Sequence, residues 1–347
     1  MRLLFLFVAC FVVATNGGVI KDLYNRLKNY KTDYSVDEII RLLLRGTKLT
    51  VKHLCGEVDD TPIEEDVTFW AINRETNELR QVWLKDPNIA QKLDFSKPVA
   101  FVIHGWIDNV NRTWVQETVK DYVKFVDTNV IAVDWNRLAN YEYAISAMRN
   151  VHMVAAHLAD FIKSLRDDHQ VSFDNVTLVG HSLGGQISGL TGGLLDGKIG
   201  QIFALDPAGP LFTHPVVRSL KNRLDPTDAQ FVQAIYTTRY ILGCGIEVAH
   251  QNFKPNVGIV PQPPCVVPTV TGAISPEMVS CSHSHATELF RYALNPEHHF
   301  LGRKCSSGMS YVTGMCFGQH YERLGIYAKR EEHGNFYLQT SAVAPYV

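Results

Sequence analysis

The feature that most constrains the fold is a short glycine-serine-glycine motif near the middle of the chain. Residues Gly180–Gly184 read GHSLG and follow the apolar run Val176–Val179. Small residues two positions before and two positions after Ser182 let a strand turn sharply into a helix, which leaves the serine hydroxyl clear of the backbone. The motif therefore predicts a strand–turn–helix unit with Ser182 at its apex.

Short apolar runs alternate with helix-like segments on both sides of this motif. Continuous apolar runs are typical of strands that are buried on both faces of a parallel sheet. A helical apolar stripe extends from Val151 to Leu165 between two of the runs. The alternation predicts an α/β fold with a doubly wound, mostly parallel sheet. The predicted strands are Val99–Ile103, Val130–Val133, Val176–Val179, Ile202–Leu205 and Phe231–Thr238.

A carboxylate and a histidine lie downstream of Ser182 in the order that a hydrolytic triad requires. A serine hydroxyl is a weak nucleophile unless a histidine takes its proton and a carboxylate orients that histidine. In folds of this kind the acid follows the serine and the histidine comes last. Asp206 ends the next predicted strand and is the candidate acid. Asp225 and Asp228 compete with it from a loop before the following strand.

The candidate base is His283, which stands in the segment Cys281-Ser282-His283. A disulfide at Cys281 would fix the backbone beside this imidazole. His285 lies two residues further on and is the nearest alternative. Spacing by itself favours His283 but leaves both histidines open.

Two backbone N–H groups are candidates for stabilising the oxyanion of an acyl-transfer reaction. The N–H of Leu183 lies at the start of the helix after Ser182, where the helix dipole adds partial positive charge. The loop His104-Gly105-Trp106 follows a predicted strand and is where this fold supplies its second donor. Gly105 would let the backbone approach the substrate, and Trp106 would donate its N–H and lay its ring on the acyl pocket.

The amino terminus predicts export. Arg2 precedes the apolar run Leu3–Val13, and small residues follow it, as in a secretory signal; the run is too short to span a bilayer well. We therefore expect a signal peptide at 1–18, an N-terminal extension at 19–65, a hydrolase domain at 66–347 and an extracellular protein. The 33 basic and 35 acidic side chains are spread along the chain, which argues against a nucleic-acid partner.

The cysteines and two glycosylation sequons fit this compartment. Cys10 lies in the predicted signal, and an even number of cysteines remains, which implies disulfides in an exported protein. Asn111 and Asn175 begin Asn-x-Thr sequons and are predicted acceptors of N-linked glycans. The remaining cysteines are Cys55, Cys244, Cys265, Cys281, Cys305 and Cys316.

Taken together, these segments resemble the neutral, pancreatic-type lipase family of the α/β-hydrolase superfamily, with secreted insect lipases and phospholipase A1 enzymes closest. The resemblance extends from about Val67 to the segment Phe336–Leu338. The segments that carry it are Phe101–Trp106, Val133–Trp135, Val179–Gly184, Ala204–Pro210, Arg223–Ala229 and Cys281–His283.

The resemblance implies a catalytic triad of Ser182, Asp206 and His283, and so favours His283 over His285. It also implies that Trp106 and Leu183 are the oxyanion donors. The expected activity is the hydrolysis of fatty-acyl esters of glycerolipids at a membrane or droplet surface. This chemistry requires no cofactor.

The resemblance also implies the disulfides Cys265–Cys281, which would close a lid over the active site, and Cys305–Cys316. It leaves Cys55 to pair with Cys244. The predicted lid has 15 residues between its cysteines, and the loop Tyr240–Ala249 is short as well. In the family, a short lid and a short loop accompany phospholipase or mixed activity, so triacylglycerol lipase and phospholipase A1 both stay open.

Two further expectations come from the resemblance. Members of the family often hold a structural calcium in a loop that corresponds to residues 220–228. Here Asp225 and Asp228 would supply carboxylates, and Leu220 and Arg223 would supply backbone carbonyls. The 64 residues after His283 are too few for the C-terminal β-sandwich domain of pancreatic lipase. We therefore expect no protein cofactor that binds through such a domain.

A non-catalytic alternative exists on the same fold. Lipid-binding or yolk-like storage proteins use this architecture without hydrolysing esters. Their sequences would be expected to lack the serine, the acid or the histidine. Ser182, Asp206 and His283 are all present here, so the sequence favours the enzyme.

Overall fold

The computed structural model describes residues 61–268 and 273–347 of the protein. The predicted signal peptide 1–18, Cys55 and nearly all of the extension 19–65 lie outside the described residues. Eleven strands in the described part form one sheet. They are β1 Thr68–Ile72, β2 Arg80–Val82, β3 Val99–Ile103, β4 Asn129–Asp134, β5 Val176–His181, β6 Gln201–Leu205, β7 Phe231–Ile235, β8 Gln251–Pro255, β9 Leu301–Lys304, β10 Tyr321–Arg323 and β11 Gly334–Leu338.

The middle of the sheet is parallel, as the apolar runs predict. Strands β4, β3, β5, β6, β7, β8 and β11 lie side by side in that order, and each adjacent pair is parallel. Antiparallel strands β1 and β2 extend one edge, and β9 and β10 extend the other. The α/β prediction with a doubly wound, mostly parallel sheet is therefore confirmed.

One predicted strand ends earlier than expected. The apolar run reaches Thr238, but β7 ends at Ile235. The backbone N–H groups of Thr237 and Thr238 donate to Asp206 Oδ1 instead of to a neighbouring strand. The buried Asp206 carboxylate thus accepts the two backbone N–H groups that would otherwise have continued the hydrogen-bond ladder of β7.

Helices cover both faces of the sheet. Phe101 in β3 packs with Leu158 and Ile187 in one hydrophobic cluster, whereas its neighbour Val102 packs with Val119 and Leu289 in the other. Within the described residues, no helix has both the length and the apolar character needed to cross a bilayer. The helices are α1 Ile63–Asp66, α2 Thr113–Phe125, α3 Asn136–Ala139, α4 Tyr143–Ile145, α5 Val151–His169, α6 Leu183–Leu194, α7 Pro276–Ala293 and α8 Gly308–Val312.

Short helical turns complete the chain between these elements. A π-helical turn, Ser146–Asn150, leads directly into α5. The remaining turns are of the 3-10 type: Ile89–Gln91, Phe173–Asn175, Leu220–Asn222, Pro226–Asp228, Asn256–Gly258 and Pro263–Cys265.

The order of the strands reverses beside β3. This strand pairs with β4 on one side and β5 on the other, so the chain leaves β3 and β5 toward opposite halves of the sheet. Ligands of open α/β sheets bind where the strand order reverses in this way, beyond the carboxyl ends of the strands. The loop after β3 and the turn after β5 both lie at this point.

Two buried histidines make the fold sensitive to acid. Burial lowers the pKa of His181 to about 3 and that of His285 to about 4. Histidine in an unfolded chain titrates near pH 6.5, so below that pH the unfolded chain binds protons that the folded protein excludes. We expect each histidine to lower the free energy of unfolding by up to about 1.4 kcal/mol per pH unit between pH 6.5 and its folded pKa.

Melting temperatures measured from pH 7 down to pH 4.5 check this expectation. His152 and His214 have pKa values lowered by burial in the same way, and replacing His285 by Gln removes one member of this set of titrating groups. The decline of the melting temperature with pH should become shallower in that variant. An unchanged decline would show that His285 does not contribute.

Candidate active site

Ser182 stands at a tight, strained bend between β5 and α6. Its backbone dihedrals are φ 55° and ψ −118°, a conformation that L-residues rarely adopt. The bend closes because the flanking residues have no side chains. A Cβ on Gly180 would lie 2.1 Å from the carbonyl oxygen of Gly184, and a Cβ on Gly184 would lie 2.2 Å from that of Ile103. The two glycines are therefore sterically required for this bend.

Asp206 lies at the end of β6 and its carboxylate is fully buried. Oδ1 accepts the N–H groups of Thr237 at 2.9 Å and Thr238 at 3.2 Å, and Oδ2 accepts the Thr238 hydroxyl. Burial alone would raise the pKa of Asp206. The hydrogen bonds and charge of His283, together with the threonine donors, outweigh burial and hold this pKa below the ordinary value. The carboxylate is therefore ionised at neutral pH.

His283 lies on α7 and points its ring at this carboxylate. The distance from His283 Nδ1 to Asp206 Oδ2 is 2.6 Å. An ionised carboxylate only accepts hydrogen bonds, so Nδ1 carries the proton and Nε2 keeps a free lone pair. His285, the alternative base, is buried elsewhere on the same helix, with its ring 4.7 Å from that of Tyr346. Of the two histidines, the structure brings His283 to Asp206.

The competing acids lie in a separate loop. Asp225 and Asp228 cap the 3-10 turn Pro226–Asp228 and hydrogen-bond within that turn. Gly189 of α6 packs against this turn, because a Cβ on Gly189 would lie 2.8 Å from Asp228 Oδ2. Of the three aspartates that the sequence left open, Asp206 is the one whose carboxylate contacts His283.

His181 connects the serine bend to the histidine helix. Its Nε2 lies 3.1 Å from the carbonyl oxygen of His283, and the two rings are 4.6 Å apart. Because a carbonyl can only accept, Nε2 carries the proton of this imidazole. Sequence reasoning assigned no role to His181 or to Thr238. The position of His181 within the motif was the available signal, whereas no local pattern marks Thr238.

The loop after β3 approaches Ser182 closely. A Cβ on Gly105 would lie 3.0 Å from Ser182 Cβ, so a glycine here leaves room for a substrate carbonyl. His104 fixes the loop, because its Nε2 lies 3.1 Å from both Asp134 Oδ1 and the Trp135 backbone nitrogen. This anchoring aligns the loop with the serine bend.

Of the two predicted oxyanion donors, Leu183 follows Ser182 in the chain, and Trp106 follows Gly105, whose backbone approaches Ser182. Leu183 is the first residue of α6, where N–H groups lack helical partners. The indole Nε1 of Trp106 donates to the carbonyl oxygen of Tyr141 at 2.8 Å, which leaves its backbone N–H as the donor to consider. The Trp106 ring meets the ring of Tyr143 edge-on at 5.3 Å.

The predicted calcium loop has a donor set that fits a cation. Asp225 Oδ1 accepts from Thr227, and Asp228 Oδ2 accepts from the Asp225 N–H. Within the described residues, no hydrogen bond reaches Asp225 Oδ2 or Asp228 Oδ1. Burial, helped by the charge of Asp225, raises the pKa of Asp228 to about 8 against the opposing Asp225 N–H hydrogen bond and Arg223 charge. Leu220 and Arg223 lie at the adjoining 3-10 turn, and their carbonyls would be the further oxygen ligands of a bound cation.

Two of the three predicted disulfides are present. Cys265–Cys281 and Cys305–Cys316 have Cα–Cα distances of 5.6 and 4.9 Å. Cys244 is buried and forms no disulfide within the described residues, and its proposed partner Cys55 lies outside them. That third pair stays a prediction.

The structure describes part of the predicted lid and both glycosylation sequons. Residues 269–272 of the predicted lid lie outside the described residues, and α7 begins within the lid at Pro276 and includes Cys281. Asn111 and Asn175 are both exposed. Their glycosylation stays a prediction.

Comparisons with known proteins find a family match over most of the chain. The family model for lipases matches residues 46–346. Lipase member H of Rattus norvegicus is 35% identical over 228 residues, which cover 65% of this chain and 48% of that protein. Hepatic triacylglycerol lipase of Homo sapiens is 32% identical over 311 residues, covering 82% and 61% respectively. The chain thus spans about half to three-fifths of these curated relatives.

Among solved structures, a lipase/esterase from Lactobacillus plantarum is 12% identical with a TM-score of 0.30, covering 63% of this chain and 84% of that one. The fold assignment therefore rests on the sheet topology described above.

Proposed function

Because the chain belongs to the lipase family, we propose that it is a carboxylic ester hydrolase that cleaves fatty-acyl esters of glycerolipids through Ser182, Asp206 and His283. The observation that carries the proposal is the 2.6 Å contact between His283 Nδ1 and the buried Asp206 carboxylate. This contact leaves His283 Nε2 as a base, and His181 holds His283 against the bend that carries the serine.

The reaction would proceed in two halves. Ser182 attacks the ester carbonyl while His283 Nε2 takes the hydroxyl proton and then passes it to the leaving alcohol. Asp206 keeps the imidazole in the required tautomer and stabilises its cation. The backbone N–H groups of Leu183 and Trp106 stabilise the oxyanion. Water, activated by His283, then attacks the acyl-enzyme and frees the fatty acid.

Exposed apolar side chains support a substrate that is presented at a lipid surface. Ile259, Val266 and Val267 are exposed in the segment that ends in the predicted lid. Nearby exposed apolar groups are typical of proteins that work at an interface. The named relatives include a triacylglycerol lipase, which agrees with such a substrate.

Two measurements test the proposal. A fluorophosphonate probe should label the protein at Ser182, and peptide mapping identifies the labelled residue. Fatty-acid release from triolein and from phosphatidylcholine then distinguishes a triacylglycerol lipase from a phospholipase A1. A protein that neither reacts with the probe nor releases fatty acid from any ester would instead be a lipid-binding or storage protein.

We further propose export with removal of residues 1–18. The apolar run Leu3–Val13 and the two disulfides in the described residues support an oxidising, extracellular destination. Protein recovered from the medium of expressing cells should begin at Val19. Retention of Met1 in the recovered protein would contradict removal of the signal.

We also propose that the loop that includes Asp225 and Asp228 holds a structural calcium ion, which would not take part in the chemistry. A bound ion stabilises the folded state by mass action. We expect a chelator to lower the melting temperature by several degrees and added calcium to restore it. Asp228→Asn should remove this response. The absence of any chelator effect in the parent protein would contradict a calcium site.

A further inference from the structure

A second exposed apolar surface lies on the disulfide-closed loop near the carboxyl terminus. Its four side chains are among the most exposed apolar groups of the described residues. We call this set the apolar tip. Its members and their exposed fractions are Met309 at 71%, Val312 at 71%, Met315 at 64% and Phe317 at 92%.

The apolar tip stands on a well-anchored scaffold. The Cys305–Cys316 disulfide closes the loop at its base. Within the loop, the Ser307 hydroxyl caps α8 by accepting the N–H of Ser310 at 3.1 Å. Tyr311 stacks on Tyr337 of β11 with ring centroids 5.6 Å apart. Tyr311 is thus partly buried against β11, whereas the large apolar side chains of the loop are exposed.

The loop carries no formal charge along its length. The 17 residues between Lys304 and Glu322 include no Asp, Glu, Lys or Arg, in a chain with 20% charged residues. Charged side chains are costly to transfer out of water, whereas methionine, valine and phenylalanine gain from leaving it. An exposed, uncharged and apolar loop is therefore suited to an apolar environment.

A cation lies beneath the apolar tip. Arg303 Nη2 donates to the carbonyl oxygens of Cys316 and Gly318, each at 3.3 Å. Among residues 61–268 and 273–347, no carboxylate forms an ion pair with this guanidinium. With the apolar tip among the acyl chains of a phospholipid surface, the unpaired Arg303 guanidinium lies at the level of the phosphates.

The apolar tip adjoins the uncharged surface near the active site. A Cβ on Gly308 of α8 would lie 3.4 Å from Val257 Cγ1. Val257 belongs to the turn Asn256–Gly258, which leads into the segment with exposed Ile259 and Val266. The 22 residues between Lys254 and Glu277 also lack Asp, Glu, Lys and Arg. The two uncharged segments thus meet at Val257 and Gly308.

We propose that the apolar tip is a membrane-docking surface, separate from the predicted lid, that inserts into a phospholipid surface and holds the enzyme there. The inference rests on the proposed function, because it takes a lipid surface to be the place of action. A lipid partner suits this surface better than a protein, since the tip offers no charged side chain for electrostatic complementarity, while Arg303 lies where phosphates would be.

Vesicle partitioning tests the proposal without catalysis. The experiment uses the Ser182→Ala protein, which cannot alter the vesicles, and phosphatidylcholine vesicles with or without phosphatidylglycerol. Replacing Val312 and Phe317 by serine in that protein should lower the partition coefficient about tenfold or more. The matched control replaces Val343 and Val347 by serine, two exposed valines outside the tip, and should leave partitioning unchanged.

A fluorescent variant gives a second, independent measurement. Phe317→Trp adds an indole at the most exposed position of the tip, beyond the five native tryptophans. Its emission should shift to the blue on vesicles, and brominated phosphatidylcholine should quench it. No shift and no quenching would overturn insertion of the tip.

The outcomes separate this inference from the proposed function. The rate of hydrolysis of a water-soluble short-chain ester reports on the triad. With Ser182 in place, this rate should be the same for the native protein and for the variant with serine at positions 312 and 317. Equal partitioning of the tip variant and its parent would overturn the inference while leaving the hydrolase intact. If the substitutions instead changed the sedimentation coefficient and left partitioning unchanged, the tip would be a self-association surface. That result would also overturn the membrane-docking inference.

Discussion

Alanine at position 182 is expected to lower kcat for ester hydrolysis at least about 10⁴-fold while the protein stays folded. The hydroxyl is the group that forms the acyl-enzyme, and the bend offers no other nucleophile in its place. Oxyanion stabilisation and substrate binding would survive, so a small residual rate above water is expected. Initial rates on a soluble ester and circular dichroism measure activity and folding together.

Two further substitutions sharpen this test. Ser182→Gly should be as inactive as Ser182→Ala but more stable, by about 1 kcal/mol, because glycine adopts a φ of 55° without the strain of a side chain. Ser284→Ala removes an exposed hydroxyl next to His283 and should keep its activity. Retention of full activity by Ser182→Ala would refute the proposed mechanism.

Asparagine at position 206 is expected to lower kcat by about 10³- to 10⁴-fold with little loss of structure. The backbone N–H groups of Thr237 and Thr238 both point at Oδ1, so they will hold the asparagine oxygen there. The amide nitrogen must then face His283 Nδ1, to which it can only donate. The imidazole is forced to carry its proton on Nε2 and cannot take one from Ser182.

Rates and probe labelling measured against pH check this expectation. The variant should react slowly with a fluorophosphonate at every pH from 6 to 9, because the tautomer is imposed by geometry and does not depend on pH. Asp225→Asn serves as the comparison, since Asp225 was one of the two other acids that spacing allowed. If Asp225→Asn abolished activity and Asp206→Asn did not, the acid would be misassigned.

Much of the local structure could be read from neighbouring residues. The motif Gly180–Gly184 predicts its bend because glycine lacks the Cβ that would keep two backbone segments apart. The apolar runs predict buried parallel strands because strands covered on both faces need no polar alternation. Asp206 could be nominated as the acid from its place at a strand end. Each of these inferences depends on contacts between residues that are close in the chain or on the period of one element.

Residues that are close in the chain specify which chemical groups are available and the order of the strands and helices that present them. How those groups meet depends on the packing of distant segments. His283 and His285 are two residues apart on one helix, and the packing of α7 turns His283 toward Asp206 and buries His285. The roles of His181 and Thr238 likewise depend on residues 102 and 32 positions away. Such contacts leave no local pattern, because they arise when the sheet and its helices are assembled.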